Sequence, residues 1–129
     1  MPARHRLLAE NSVGLKDVAE EDYIMLTVDE ASHSSMKYWS QTPYVPRITL
    51  RTSSVEAVRS LVANGQGVAI LSDMVHRPWS LEGKRIETIA LTEPIPSMDV
   101  GLAWKRNAEF TPAMEAVRSY FRRSFSIPE

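Results

Sequence analysis

The spacing of hydrophobic residues changes several times along the chain, and each change marks an element. Tyr23 to Val28 is an apolar run broken only by Thr27, the pattern of a strand buried on both faces. Leu15 to Ala19, just before it, reads as one short helical turn. Asp29 to Ser35 is polar and turn-like. A weak helix to about Gln41 would bury Met36 and Trp39, and Pro43 and Pro46 then impose an extended entry to the next element. Arg47 to Thr52 reads as a second strand. From Ser54 to Asn64 the spacing becomes helical, with Val55, Val58, Leu61 and Val62 on one face. Ser53 and Glu56 are placed to form a capping box at its start. Gly65 stands where a left-handed C-cap is wanted. Val68 to Leu71 is a third strand, apolar on both faces. The strand–helix–strand unit over 47–72 predicts a crossover between two parallel, neighbouring strands.

Beyond this unit, Arg77 to Lys84 is irregular and Ile86 to Leu91 reads as a short strand. Pro94 and Pro96 mark a loop. Met98, Val100, Leu102 and Trp104 alternate with Asp99, Gly101, Ala103 and Lys105, which predicts a strand with one face in a core over 98–105. Thr111 caps a last helix, with Pro112 at its first position. Met114, Val117, Phe121 and Phe125 form its apolar stripe. Arg118, Arg122 and Arg123 lie toward the end where the helix dipole favours cations. A stripe of this kind folds back on Met98–Trp104, pairs with a second copy, or stays exposed.

Charge and composition narrow the functional classes. The 129 residues carry a net charge of −1 with scattered basic residues, so this segment is not built to grip a nucleic-acid duplex. There is no cysteine, hence no disulfide and no thiolate metal site. No run approaches the roughly 18 apolar residues of a membrane span. Arg4, His5 and Arg6 are followed only by Leu7, Leu8 and Ala9, too short an apolar run for a signal peptide, so a cytoplasmic location is expected. His5, His33 and His76 lack metal-ligand spacing, so no metal is expected. Gly65-Gln66-Gly67 begins a dinucleotide fingerprint, but Ile70 replaces the third glycine and the motif leads from helix to strand, the reverse of the required context. Asp73 and Glu82 read as solvated loop charges, and Trp39, Trp79 and Trp104 as core or hinge packing. With no nucleophile elbow and no cofactor loop, the sequence predicts neither enzyme nor cofactor site, and no catalytic residue.

The polar residues that remain cluster at strand ends. In open parallel α/β sheets, ligands bind beyond the carboxyl ends of the strands. The first strand ends in Thr27 and Asp29, the second in Thr52, Ser53 and Ser54, the third in Ser72 and Asp73. Short hydroxyls at three strand ends, with the free amides of the following helix, would make a rim suited to a small anion such as a carboxylate. Helix capping alone accounts for Ser53 equally well.

Several of these segments together resemble a known family. Arg51-Thr52-Ser53-Ser54-Val55-Glu56-Ala57-Val58 and Leu61-Val62-Ala63-Asn64-Gly65-Gln66-Gly67-Val68-Ala69-Ile70-Leu71 resemble the effector-binding domain of LysR-type transcriptional regulators. So do Val13-Gly14-Leu15-Lys16-Asp17-Val18-Ala19 and the later Leu102-Ala103-Trp104-Lys105-Arg106 with Thr111-Pro112-Ala113. The resemblance covers nearly the whole chain in the expected order. It implies an α/β fold like type 2 periplasmic binding proteins, with a mostly parallel sheet flanked by helices and most of the first subdomain missing. On that basis residues 1–14 are a remnant of the first subdomain and hinge, 15–97 the second effector-binding subdomain, 98–106 a returning hinge strand, and 107–129 a helix belonging to the first subdomain. The resemblance further implies a small-molecule effector, DNA contact only through an N-terminal domain outside this chain, and a homo-oligomer, often a tetramer. Carried over by position, the effector-facing residues are Thr27, Thr52, Ser53, Ser54, Leu71 and Ser72. A solute-binding protein fragment of a transporter shares the fold and is the alternative.

Overall fold

The computed structural model describes residues 1–28, 36–95 and 101–125, and the chain divides into two units, Met1–Ser97 and Met98–Glu129. Asp29, His33 and the expected strand residues Met98–Val100 lie outside the described residues.

Strand β1 (Asp22–Leu26) organises the first unit. Tyr23, Ile24 and Met25 are all buried, as expected of a strand covered on both faces. Their alternation sorts them into two cores. Tyr23 and Met25 join Leu7, Val13, Leu15, Val18 and Trp39. Ile24 joins Val58, Val62 and Ile86. Helix α1 (Leu15–Ala19) and the helical residues 36–40 (α2) feed the first core. Trp39 meets Tyr23 edge-on with ring centroids 5.8 Å apart, and the hydroxyls of Tyr23 and Tyr38 lie 3.4 Å apart. Burial, and then the neighbouring Tyr38, push the Tyr23 phenol well above its ordinary pKa.

Strand β2 (Arg47–Thr52) runs parallel to β1, with Arg47 opposite Asp22 and Thr52 opposite Leu26. An Arg47–Asp22 ion pair of 2.9 Å closes the start of the ladder. Helix α3 (Val55–Ala63) follows and buries Val58 and Val62. Its start departs from the capping box expected at Ser53. The N-cap is Ser54, whose hydroxyl accepts from the Ala57 amide at 3.2 Å. Two local bonds explain the one-residue shift. Thr52 Oγ1 accepts from the Ser54 amide at 3.2 Å, and the Glu56 carboxylate pairs with Arg59 instead of reaching back to the backbone. The other end is as expected. Gly65 adopts φ +76°, its amide donates to the Val62 carbonyl, and the Gln66 amide donates to the Leu61 carbonyl, which together form a Schellman motif.

The crossover keeps its predicted parallel sense but not its predicted adjacency. Val68 pairs with Tyr23 of β1. The Val68 amide donates to the Asp22 carbonyl at 2.8 Å, and the Ile24 amide to the Val68 carbonyl at 2.9 Å. β1 therefore lies between β2 and Val68, and α3 carries the chain across it. The central place goes to β1, whose residues Tyr23, Ile24 and Met25 are all buried because both faces are covered. The expected strands over 68–71 and 86–91 are shorter than predicted. The first is one bridge at Val68, and the second is two isolated bridges, Ile86 with Pro2 and Leu91 with Val13.

In the second unit, Thr111 caps helix α4 (Pro112–Ser124) by accepting from the Met114 amide at 3.2 Å. Residues 101–105 form no strand, contrary to the alternation reading, and no described residue of this unit is buried. Trp104 packs edge-on against Phe110 at 5.4 Å, and the Arg118 guanidinium lies 4.2 Å from the Phe110 ring centre. Trp104 and Trp79 are half exposed, so of the three tryptophans only Trp39 is core. Trp79 instead lies under the Arg85 guanidinium at 5.5 Å.

Candidate functional site

The parallel pairing places the carboxyl ends of β1 and β2 side by side. The Thr27 amide donates to the Thr52 carbonyl at 2.8 Å, just past the last rung of the ladder. Thr52, Ser53 and Ser54 then turn the chain into α3. On the other side of β1, the run that starts at Val68 heads toward the same end and finishes at Ser72. Ser72 caps a short 3-10 turn, Asp73–Val75, and its hydroxyl accepts from the Met74 amide at 3.3 Å.

The chemistry of this rim follows from which lone pairs are occupied. The oxygens of Thr52, Ser54 and Ser72 each accept from a backbone amide. A hydroxyl used in this way keeps its O–H free to donate. The Ser53 side chain is exposed and makes no hydrogen bond among the described residues. The rim therefore offers donors, which suits a ligand rich in acceptors.

Two of the expected residues take part in a second feature. Leu71 and Ser72 line a cavity of about 150 Å³ within the first unit. Its floor is aliphatic, with Val58, Val62, Val68 and Ile86 all buried. Arg59 also lines it and is only 6% exposed. One of its terminal nitrogens pairs with Glu56 and the other donates to the Val75 carbonyl, while its Nε is buried without a partner. The sequence carried a signal for this residue. Arg59 stands four residues after Val55 and three before Val62, on the apolar face, where an exposed arginine does not belong. Among the described residues, no cluster of histidines and carboxylates could hold a metal ion, and no helix is long and apolar enough to cross a membrane.

The model of the LysR substrate binding domain matches residues 1–126. The chain belongs to this family. This LysR substrate-binding chain superimposes with a TM-score of 0.85 on HinK, a LysR family transcriptional regulator from Pseudomonas aeruginosa, at 26% identity over 96% of the chain. It also fits the C-terminal domain of a probable LysR family transcriptional regulator from Rhodococcus sp. RHA1, with a TM-score of 0.73 at 23% identity, a likeness of fold over 93% of the chain and 60% of that domain. In sequence it is 24% identical over 127 residues to YybE, an uncharacterized HTH-type transcriptional regulator of Bacillus subtilis. The LysR substrate-binding chain spans 42% of the length of YybE and 42% of HinK. The fold and recognition expected from the sequence therefore hold: this is α/β structure with a parallel sheet, in a family of transcription regulators and not of enzymes.

Proposed function

We propose that this chain is the effector-sensing portion of a cytoplasmic LysR-type regulator, and that a small, anionic molecule binds on the rim formed by Thr27, Thr52, Ser53, Ser54, Leu71 and Ser72. The observation that carries this reading is the Thr27–Thr52 junction, which brings two polar strand ends together beside the start of α3. Hydroxyl donors and the first amides of the helix both favour a carboxylate there. In this reading residues 15–97 form one wall of a cleft, and 1–14, 98–106 and 107–129 are hinge or first-subdomain segments. An effector that bridges the two walls selects one closure angle, and with it one arrangement of an oligomer on DNA. The shift can be no larger than its differential affinity for those states.

The test is a titration of the 129-residue chain with small dicarboxylates, followed by amide chemical shifts. The expected result is weak, saturable shifts gathered at Thr27, Thr52, Ser53, Ser54 and Ser72, because one wall alone supplies the contacts. Saturable binding that leaves these five amides unmoved overturns the reading.

A further inference from the structure

The second unit carries its large apolar side chains on the outside. Leu102, Trp104, Met114, Val117, Phe121 and Phe125 are each between 41% and 69% exposed. At about 100 Å² apiece they leave roughly 600 Å² of apolar surface open, the upper end of what a single chain shows in one patch. Two copies that covered this patch on each other would bury about 1,200 Å², the lower bound for a stable interface. The patch has a hollow and a knob. Leu102, Ala103 and Trp104 face Phe110, Met114 and Val117 across an open groove of about 310 Å³. A phenyl ring fits there, since a cavity of about half that size holds benzene. Phe125 is the most exposed of the six at 69% and stacks on Phe121 with ring centroids 5.4 Å apart. It stands about 16 Å along α4 from Met114, so it does not fill the groove of its own chain.

Charge sets the direction of pairing. Parallel helices would bring the Arg122 and Arg123 ends of both copies together, where like charges repel. Antiparallel helices with Phe125 opposite Met114 of the second copy place Phe121 opposite Arg118 and bring Glu115 within reach of Arg122, twice by symmetry. Glu115 and Arg122 are seven residues apart and so share one flank of the apolar stripe. One Glu115 oxygen accepts from Arg118 at 2.6 Å, which leaves the other for Arg122, whose side chain is exposed.

We propose that the 129-residue chain forms a two-fold dimer through antiparallel α4 helices, with each Phe125 seated in the groove of the other copy and Glu115 paired with Arg122 on both sides. The assignment of 107–129 to another subdomain concerns a longer regulator; in this chain the second copy covers the stripe. The effector rim lies outside 102–125, so the two readings stand or fall separately.

Sedimentation equilibrium of the 129-residue chain tests this. The wild-type chain should dimerise with a dissociation constant on the order of 10 µM, as an interface at the lower size bound gives. Phe125→Ser should weaken the dimer about a hundredfold, because each dimer loses two buried rings. Arg122→Glu and Glu115→Arg should each weaken it about tenfold, and the double variant should return to within about threefold of wild type. That rescue is a result that a merely frayed helix does not produce. A chain that stays monomeric at about 0.3 mM overturns the proposal. So does a dimer that Phe125→Ser leaves unchanged, or a double variant that dimerises no more tightly than its single parents.

Discussion

Gly67→Ala is the substitution that most directly probes how the third segment docks on β1. A Cβ at Gly67 would stand 2.4 Å from the Asp22 carbonyl oxygen and 3.0 Å from its carbon. That oxygen is the acceptor for the Val68 amide. The obstructing atoms are backbone, at the start of the central strand, and cannot swing aside like the end of a side chain. The methyl group must push residues 66–68 away from β1. Two bonds are at risk, Val68 to Asp22 and Ile24 to Val68, each worth about 1 kcal/mol net. Gly67 also has φ +155°, where an L-residue adds about 1–2 kcal/mol of strain. The expected loss is about 3–4 kcal/mol. Gly65→Ala is the control. Gly65 has φ +76° with no atom within 4 Å of the added carbon, so only the left-handed penalty of about 1 kcal/mol applies.

Urea unfolding followed by tryptophan fluorescence measures both variants, since Trp39 is buried against Tyr23. With a slope of about 1–3 kcal/mol/M, a difference near 2 kcal/mol between them is well resolved. Hydrogen exchange should show lost protection at Ile24 and Val68 in Gly67→Ala and not in Gly65→Ala. If Gly67→Ala costs no more than Gly65→Ala, the docking of Val68 on β1 described above is wrong.

Two further predictions concern the cap and the buried phenol. Ser54→Ala should cost about 1 kcal/mol by the loss of the α3 cap, whereas Ser53→Ala should change stability by only a few tenths; the reverse order in urea midpoints would restore the cap to Ser53. Because the folded-state pKa of Tyr23 lies above its ordinary value of 10.0, the unfolded chain releases that proton first. The associated stability is thus fully present below pH 10 and falls as pH rises beyond it. Tyr23→Phe should flatten this slope, and an unchanged slope would remove Tyr23 as its source.

Much of the fold was legible because burial leaves periodic traces. The unbroken run at Tyr23–Met25 identified a strand covered on both faces, and the spacing of Val58 and Val62 identified the buried face of α3. Strand order was not legible in the same way. Local pattern shows that two strands are joined by a helix, but not that an earlier strand of the chain takes the place between them. Cap register was missed for a related reason. Ser53 and Ser54 are equivalent as residue types, and the Glu56 that would complete a box at Ser53 is drawn to Arg59. The alternation over 98–105 shows which side chains share a face but cannot supply a partner strand, and 101–105 pair with none among the described residues. Arg59 escaped notice because arginine counts as polar, although its position on the helix wheel is apolar.

The correction to strand order bears directly on the rim. Neighbouring crossover strands would have set Thr52 beside Ser72 and left Thr27 at an edge. With β1 in the middle, Thr27 lies between the two, hydrogen-bonded to Thr52 on one side. The same arrangement separates β2 from the segment that α3 leads to by the width of one strand. The space bridged by that step is where Leu71 and Ser72 meet Val58, Arg59 and Val62 around the cavity. One topological fact, the passage of the crossover over β1, thus shapes both the rim and the cavity beside it. It also divides their chemistry: hydroxyl donors at the open strand ends, and an aliphatic floor with a buried guanidinium beneath them.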